Sequence, residues 1–207
     1  MRCADTKVFS GGKNRMKMTK KSDYSYINTD PASQKARQVY DKLIQSSATV
    51  PGKELHRDCV IIVEDDTAMR RLLCRTISQL APRVDVLSAA NGAEGLAAVA
   101  EVRQRRAKDP ILIIADLIMP KLDGWAFVEA LQRNQQQSKA APIPLIVFSG
   151  SSGRKGVIFK KDIHKMKASY GPLITVAKHD SSTAAMYDGS GIDSLTQFAG
   201  MMLKRVI

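Results

Sequence analysis

The sequence predicts an α/β protein, built as a doubly wound, five-stranded parallel sheet with helices on both faces. Three observations carry that reading. Short apolar runs rich in β-branched residues recur at 59–63, 84–89, 111–115, 144–148 and 173–177. Runs of this length and composition, bounded by turn residues, suit strands buried on both faces. The stretches between them have helical spacing, so strand and helix alternate as they do around a parallel sheet. Polar residues able to do chemistry follow the runs at their C-terminal ends, where open α/β sheets bind ligands.

Each element can be justified in order. CVIIV (59–63) is the first strand, and Glu64, Asp65 and Asp66 follow it. Thr67 to Ala81 form a helix with Met69, Leu72, Leu73, Ile77 and Leu80 expected inward, and Pro82 marks its end. VDVLSA (84–89) is the second strand, and Asn91-Gly92 turns the chain into GAEGLAAVAEVRQRRA, a helix expected to end in a basic, solvated stretch. ILIIA (111–115) is the third strand and leads into Asp116. Asp123 caps a third helix with Phe127, Val128 and Leu131 inward, ending in the polar run Asn134 to Lys139. PLIVF (144–148) is the fourth strand, with Ser149-Gly150 at its C-terminal end, and GSSGRKG reads as a flexible loop. VIFKKDIHKMKASY (157–170) is a basic helix with Ile158, Ile163 and Met166 on one face. LITVA (173–177) is the fifth strand and ends at Lys178, after which HDSSTAAMYDGSG reads as a long polar loop. The last helix carries Ile192, Leu195, Phe198, Met202, Leu203 and Val206 on one stripe, with Ser190 and Asp193 spaced as a capping box. The expected strand order is 2-1-3-4-5.

The 207 residues suffice for one sizeable core and an appendage. Charge divides the chain. Residues 1–57 carry a net +7, residues 58–150 are balanced, and residues 151–207 carry +5, giving the total of +12. We read 1–57 as a basic N-terminal extension and 58–207 as the folded domain. Residues 1–29 are polar and without period, as in disordered chain. Asp30-Pro31 then opens an amphipathic helix over 31–46 with Ala36, Val39, Tyr40, Leu43 and Ile44 on one face, and 46–58 reads as a linker. A basic arm suits nucleic acid, anionic lipid or an acidic surface, but a solvated tail is the favoured reading. Cys3, Cys59 and Cys74 show no metal-ligand spacing, so Cys59 and Cys74 are expected as buried thiols in a reducing compartment. No stretch of 18 apolar residues occurs, and the start MRCADTKVFSGGKNRMKMTKK lacks the apolar core of a secretory signal. The expected location is cytoplasmic.

In the strand order 2-1-3-4-5, Glu64, Asp65 and Asp66 meet Asp116 at one sheet edge. Carboxylates gathered there cannot all stay charged without a cation. All-oxygen ligands suit a hard ion, and Mg²⁺ binds through one or two carboxylates plus waters and phosphate oxygens. Ser149 ends the neighbouring strand, so its hydroxyl is placed to donate to Asp116, and Lys178 can reach the same place as a point charge. A carboxylate nucleophile, a cation site, a hydroxyl donor and a lysine suit phosphoryl transfer to Asp116. Asp66 is expected to start a helix and not to ligate. Trp125 is expected as half-buried packing, His164 and His179 as surface residues, and Met201 and Met202 as helix packing.

The stretches IIVEDDTAMRR (61–71), AANGAEGL (89–96), IIADLIMPKLDGWAFVEAL (113–131) and PLIVFSG (144–150) stand in one order. With them the chain resembles the receiver domain of two-component response regulators, strongly over about 58–150 and weakly over 151–207. The resemblance implies a flavodoxin-like receiver fold. It implies that Asp116 accepts phosphate from a phosphohistidine on a sensor histidine kinase or a histidine phosphotransfer protein. It further implies that Glu64, Asp65, Asp116 and the backbone carbonyl of Ile118 ligate Mg²⁺, that Ser149 binds a phosphoryl oxygen, and that Lys178 pairs with the acyl phosphate. It implies no enzyme activity beyond self-phosphorylation and self-dephosphorylation. Output to a downstream protein would use the surface of the 157–170 helix, the fifth strand and the last helix.

The chain departs from the family pattern in three places. His179 stands where a proline usually follows the lysine, Thr175 stands where an aromatic residue is often found, and the stretch from Ser149 to Lys178 is long, implying an insertion between the fourth strand and the last helix. Lys160 and Lys161 lie too near Ser149 to leave room for a helix between strands. The rival reading is a degenerate receiver, never phosphorylated, that serves as a scaffold or contacts nucleic acid through its basic arm. A Mg²⁺-dependent hydrolase working through an aspartyl phosphate would need an acid or base two positions after Asp116, where Ile118 stands. Apolar Ile118 is instead expected to hinder attacking water.

Overall fold

A computed structural model describes residues 57–150, 156–179 and 187–204. The expected disorder of 1–29, the 31–46 helix and nearly all of the 46–58 linker, Cys3, most of the GSSGRKG loop, the middle of the HDSSTAAMYDGSG loop and Val206 lie outside those residues.

The described chain alternates strand and helix: β1 (Cys59–Val63), α1 (Thr67–Leu80), β2 (Asp85–Ala89), α2 (Gly92–Arg106), β3 (Leu112–Ala115), α3 (Gly124–Ser138), β4 (Leu145–Ser149), α4 (Gly156–Tyr170), β5 (Leu173–Ala177), β6 (Gly189–Ser190) and α5 (Gly191–Leu203). All strands run parallel, in the order β2-β1-β3-β4-β5-β6. The expected order of the first five is therefore found. The sixth strand is an addition: two residues of the expected polar loop pair with β5, Val176 opposite Gly189 and Ala177 opposite Ser190. A strand of two residues, Gly-Ser, has no apolar run and leaves no periodic signal.

The central strands are buried on both faces because alternate residues feed two separate cores. Ile61, Val63, Ile113, Ala115, Leu145 and Val147 point to one side, where α2, α3 and α4 supply Leu96, Val99, Phe127, Leu131, Met166 and Tyr170. Val60, Ile62, Leu112, Ile114, Ile146 and Phe148 point to the other, where α1 and α5 supply Leu73, Ile77, Leu195, Ala199 and Leu203. At roughly 1.5–3 kcal/mol for each large apolar side chain buried, these two layers are what hold polar groups in place at the sheet edge. Cys59 and Cys74 are buried thiols, one in each layer, and burial pushes Cys59 up to about 11.

Helix starts follow local chemistry. Asp66, Asn91 and Asp123 each accept a hydrogen bond from the backbone N–H three residues on, at 2.7, 3.1 and 2.9 Å. Asn91-Gly92 is thus a helix cap as well as a turn. Ser190 starts α5 without a side-chain capping bond, so the expected capping box with Asp193 does not form. Three further expectations fail, one of them at Met201, read as helix packing but exposed on α5. Leu72 and Leu80 of α1 are exposed, since the helix buries only the narrower stripe of Leu73, Cys74 and Ile77. The basic end of α2 is not simply solvated: Arg103 pairs with Asp109, and Arg106 pairs with Asp85 at 2.9 Å.

Candidate functional site at the carboxyl edge of the sheet

β1 and β3 are neighbours in register, Val63 opposite Ala115, so the residues that follow them emerge side by side. Glu64 and Asp116 are those residues, and both are buried. Backbone bonds fix the crossing: Asp116 N donates to Val63 O at 2.9 Å, and Glu64 N donates to Ala89 O at 3.0 Å. Arg70, one turn into α1, donates to the carbonyls of Glu64 and Asp65 at 2.7 and 3.2 Å and so ties down the acidic loop. On the other side α3 begins pressed against the same backbone. A Cβ at Gly124 would lie 2.0 Å from the Asp116 carbonyl oxygen, so only glycine permits this approach.

Every oxygen of the Asp116 carboxylate is engaged. Oδ1 accepts from Ser149 Oγ at 2.7 Å and from Ile118 N at 3.1 Å, and Oδ2 accepts from Lys178 Nζ at 2.7 Å. Ser149 closes β4 and is fully buried; Lys178 follows β5, where Ser149 pairs with Ala177 and Lys178 N donates to Ser149 O at 3.0 Å. Lys178 also bonds Glu64 Oε1 at 2.9 Å, and its ammonium stands 2.8 Å from Oε2. Lys178 thus bridges the two buried acids. Burial opposes its charge, but the hydrogen bonds and charges of Asp116 and Glu64 outweigh that, and its pKa rises. Burial likewise acts most on Glu64 and raises its carboxyl, with the Lys178 hydrogen bond working against it and the Asp116 charge adding to it.

Glu64, Asp65 and Asp116 each offer an oxygen within 4.8 Å of the others. Asp65 is exposed at the rim, where solvent has access. Three carboxylates face one ammonium. Glu64 Oε2 is buried and meets no hydrogen-bond geometry among the described residues, though the Lys178 ammonium stands 2.8 Å from it. An all-oxygen set with surplus negative charge fits a hard divalent cation.

The structure therefore brings Glu64, Asp65, Asp116, Ser149 and Lys178 together, and the Ile118 backbone takes part through its N–H. The Ile118 side chain is 49 % exposed beside Asp116. Asp66 is a helix cap and points elsewhere, as expected. Trp125 is half-buried against the core, and His164 and His179 are exposed. Among the residues that position this site, sequence reasoning missed Arg70, whose only signal is a basic residue one turn into the helix after an acidic loop. It also missed Gly124, whose requirement shows only once α3 is laid against Asp116. Among the described residues no helix is long and apolar enough to cross a membrane.

The chain is similar to known proteins. A family model described as the response regulator receiver domain matches residues 60–166, just over half of the chain. A probable chemotaxis protein CheY of Rhizobium etli is 32% identical over 119 residues, covering 53% of this chain and 87% of that protein. A protein-glutamate methylesterase/protein-glutamine glutaminase of Myxococcus xanthus is 37% identical over 98 residues, covering 47% of this chain but only 25% of its own length. Among solved structures, the signal receiver domain of a DNA binding response regulator from Colwellia psychrerythraea aligns over 71% of this chain and 98% of that one, with 16% identity and a TM-score of 0.49. Through residues 60–166 this chain belongs to the response regulator receiver domain family of two-component signalling.

Proposed function

We propose that this chain is a phosphoacceptor, taking a phosphoryl group onto Asp116 from a phosphohistidine of a sensor histidine kinase or a histidine phosphotransfer protein. One observation carries the reading: a buried carboxylate holds a hydroxyl donor on one oxygen and an ammonium on the other, beside two further acids. The step balances simply. An Asp116 carboxylate oxygen attacks phosphorus, the P–N bond breaks, and the imidazole leaves with the electron pair and later takes a proton.

The chain's residues divide the work. Glu64, Asp65, Asp116 and the backbone carbonyl of Ile118 would hold Mg²⁺, which when bound neutralises charge on the phosphoryl oxygens. Ser149 and Lys178 already face the carboxylate, so each is placed to bind a phosphoryl oxygen without a large rearrangement. Lys178 gives up Glu64 in doing so, and Glu64 then serves the cation. In this reading 58–207 is the receiver and 1–57 a basic extension, acting in the cytoplasm. Output passes to a downstream protein across the surface of α4, β5 and α5 as a population shift.

The test is incubation with acetyl phosphate, with and without Mg²⁺, followed by intact mass. A phosphate-sized gain that needs Mg²⁺ and is absent from Asp116→Asn is expected. No gain in a folded native chain would overturn the reading and favour an unphosphorylated platform.

A further inference from the structure

We infer that Asp188 is a positioning residue for the Asp116 site: it clasps Thr175 from the outer side of β5 and so fixes the strand end that aims Lys178 at the two buried acids. The inference rests on the phosphoacceptor reading and adds to it a residue that follows Lys178 in the chain.

Lys178 follows β5 directly, so the last residues of that strand aim its ammonium. On the inner side β4 holds them: Val147 lies opposite Thr175, Phe148 opposite Val176 and Ser149 opposite Ala177, and Lys178 N donates to Ser149 O at 3.0 Å. Backbone groups of successive strand residues turn to opposite edges, so those of Thr175 face away from β4. Thr175 is fully buried, and its N–H and C=O need partners there. Asp188 supplies both. Its Oδ2 accepts from Thr175 N at 2.8 Å, and its own N donates to Thr175 O at 2.8 Å. The same Oδ2 accepts from the Thr175 hydroxyl at 3.2 Å. β6 continues the pairing, with Gly189 opposite Val176 and Ser190 opposite Ala177. Thr175, Val176 and Ala177 are thus held from both sides up to Lys178.

Asp188 is itself anchored. Lys167 of α4 donates to both of its oxygens at 2.7 Å. Burial works against the Asp188 charge, but the Lys167 and Thr175 bonds outweigh it and hold its carboxyl below the ordinary range. It therefore stays an ionised acceptor, and bonds to an ionised acceptor are stronger than neutral ones. Asp188 acts through the strand and not on the acids themselves. Lys178 reaches Asp116 Oδ2 at 2.7 Å and Glu64 Oε1 at 2.9 Å, and its backbone sets the arc its ammonium can sweep. Misplacing a reacting or positioning group by about 1 Å can cost roughly a hundredfold in rate. Without the Asp188 carboxylate, a buried N–H and hydroxyl of Thr175 lose their acceptor, and the strand end that carries Lys178 is held firmly from one side only.

The experiment compares the native full chain with Asp188→Ala and Asp188→Asn. Lysines are acetylated with acetic anhydride, without Mg²⁺ or phosphate, and the labelling rates of Lys178 and Lys108 are read by peptide mapping. Lys178 is shielded by its two buried acids, whereas Lys108 pairs with Asp58 at the other end of the sheet and reports on the fold as a whole. Asp188→Ala is expected to label Lys178 about tenfold faster than the native chain, and Asp188→Asn about threefold faster, the scale of losing and of weakening one ordinary hydrogen bond. Lys108 is expected to label at the native rate in both. Phosphate uptake from acetyl phosphate at saturating Mg²⁺, read by intact mass, is expected to slow in the same order. The Asn amide oxygen still accepts from Thr175 N, so this variant tests the inference even where Ala fails to fold. An Asn variant that labels and takes phosphate like the native chain would overturn the inference alone. So would equal rises at Lys178 and Lys108, the mark of a general loosening. No phosphate uptake by the native chain would overturn the phosphoacceptor reading, and the role of Asp188 with it.

Discussion

The two ends of the sheet carry charge in opposite ways. At the amino edge, Arg106 pairs with Asp85, Lys108 with Asp58 and Arg103 with Asp109, each cation with its own acid and each pair at least partly open to solvent. At the carboxyl edge, Glu64 and Asp116 share Lys178, with side-chain exposures of 1, 7 and 12%, and Asp65 adds a third acid at the rim. Exposed pairs that close on themselves contribute little, about 0–1 kcal/mol each. A buried group with more acids than bases costs stability and persists only if a ligand or a reaction uses it. The imbalance, more than the amount of charge, distinguishes the carboxyl edge from the amino edge.

The sharpest way to break that contrast is at Gly124, where the carboxyl edge has no spare room. Gly124→Ala must push α3 off the Asp116 backbone and is expected to destabilise the fold by about 3–4 kcal/mol, measured by urea unfolding. Next is Lys178→Met, which leaves two buried acids uncompensated and is expected to cost about 3 kcal/mol without added cation, with millimolar Mg²⁺ restoring part of it. Because folding raises the Lys178 pKa, its contribution is fully present below the ordinary lysine pKa of about 10.4 and is lost as pH rises through the folded value. The gap between native and Lys178→Met should therefore narrow in strong alkali. A gap that widens there would contradict the assignment of the ion pair.

Smaller effects sharpen the contrast. Ile118, exposed beside Asp116, presents an apolar surface to incoming water. Ile118→Asn is expected to shorten the half-life of the phosphorylated chain about tenfold or less, short of the roughly hundredfold or more that a positioned general acid or base contributes; a longer half-life would contradict this. Lys108→Ala at the amino edge removes one exposed pair and is expected to cost under about 1 kcal/mol while leaving phosphate uptake unchanged.

The strands and the site acids were legible because each carries a local signal. Apolar runs such as CVIIV and LIIA end at Glu64 and Asp116, and neighbouring strands in register must bring those ends together. Ser149 and Lys178 were legible for the same reason, as the residues that close β4 and follow β5. What could not be read depends on distant partners. Leu72 and Leu80 fit the helical stripe of α1, yet the neighbouring layer covers only part of it. Arg103 looked solvated until Asp109 and Asn134 were folded against it. β6 pairs with Val176 and Ala177, and Asp188 just before it is held by Thr175, a single buried polar residue in an otherwise apolar strand. In the sequence Thr175 marks a departure from the family pattern and carries no sign of an anchor.

The most direct test is to find the atom that carries the phosphate. Borohydride reduces an acyl phosphate to an alcohol, so peptide mapping after treatment with acetyl phosphate, Mg²⁺ and borohydride should find homoserine at position 116. Homoserine at position 116, with no reduced acid at Glu64, Asp65 or Asp66, is the predicted result. An unmodified Asp116, or a reduced acid elsewhere, would contradict the account.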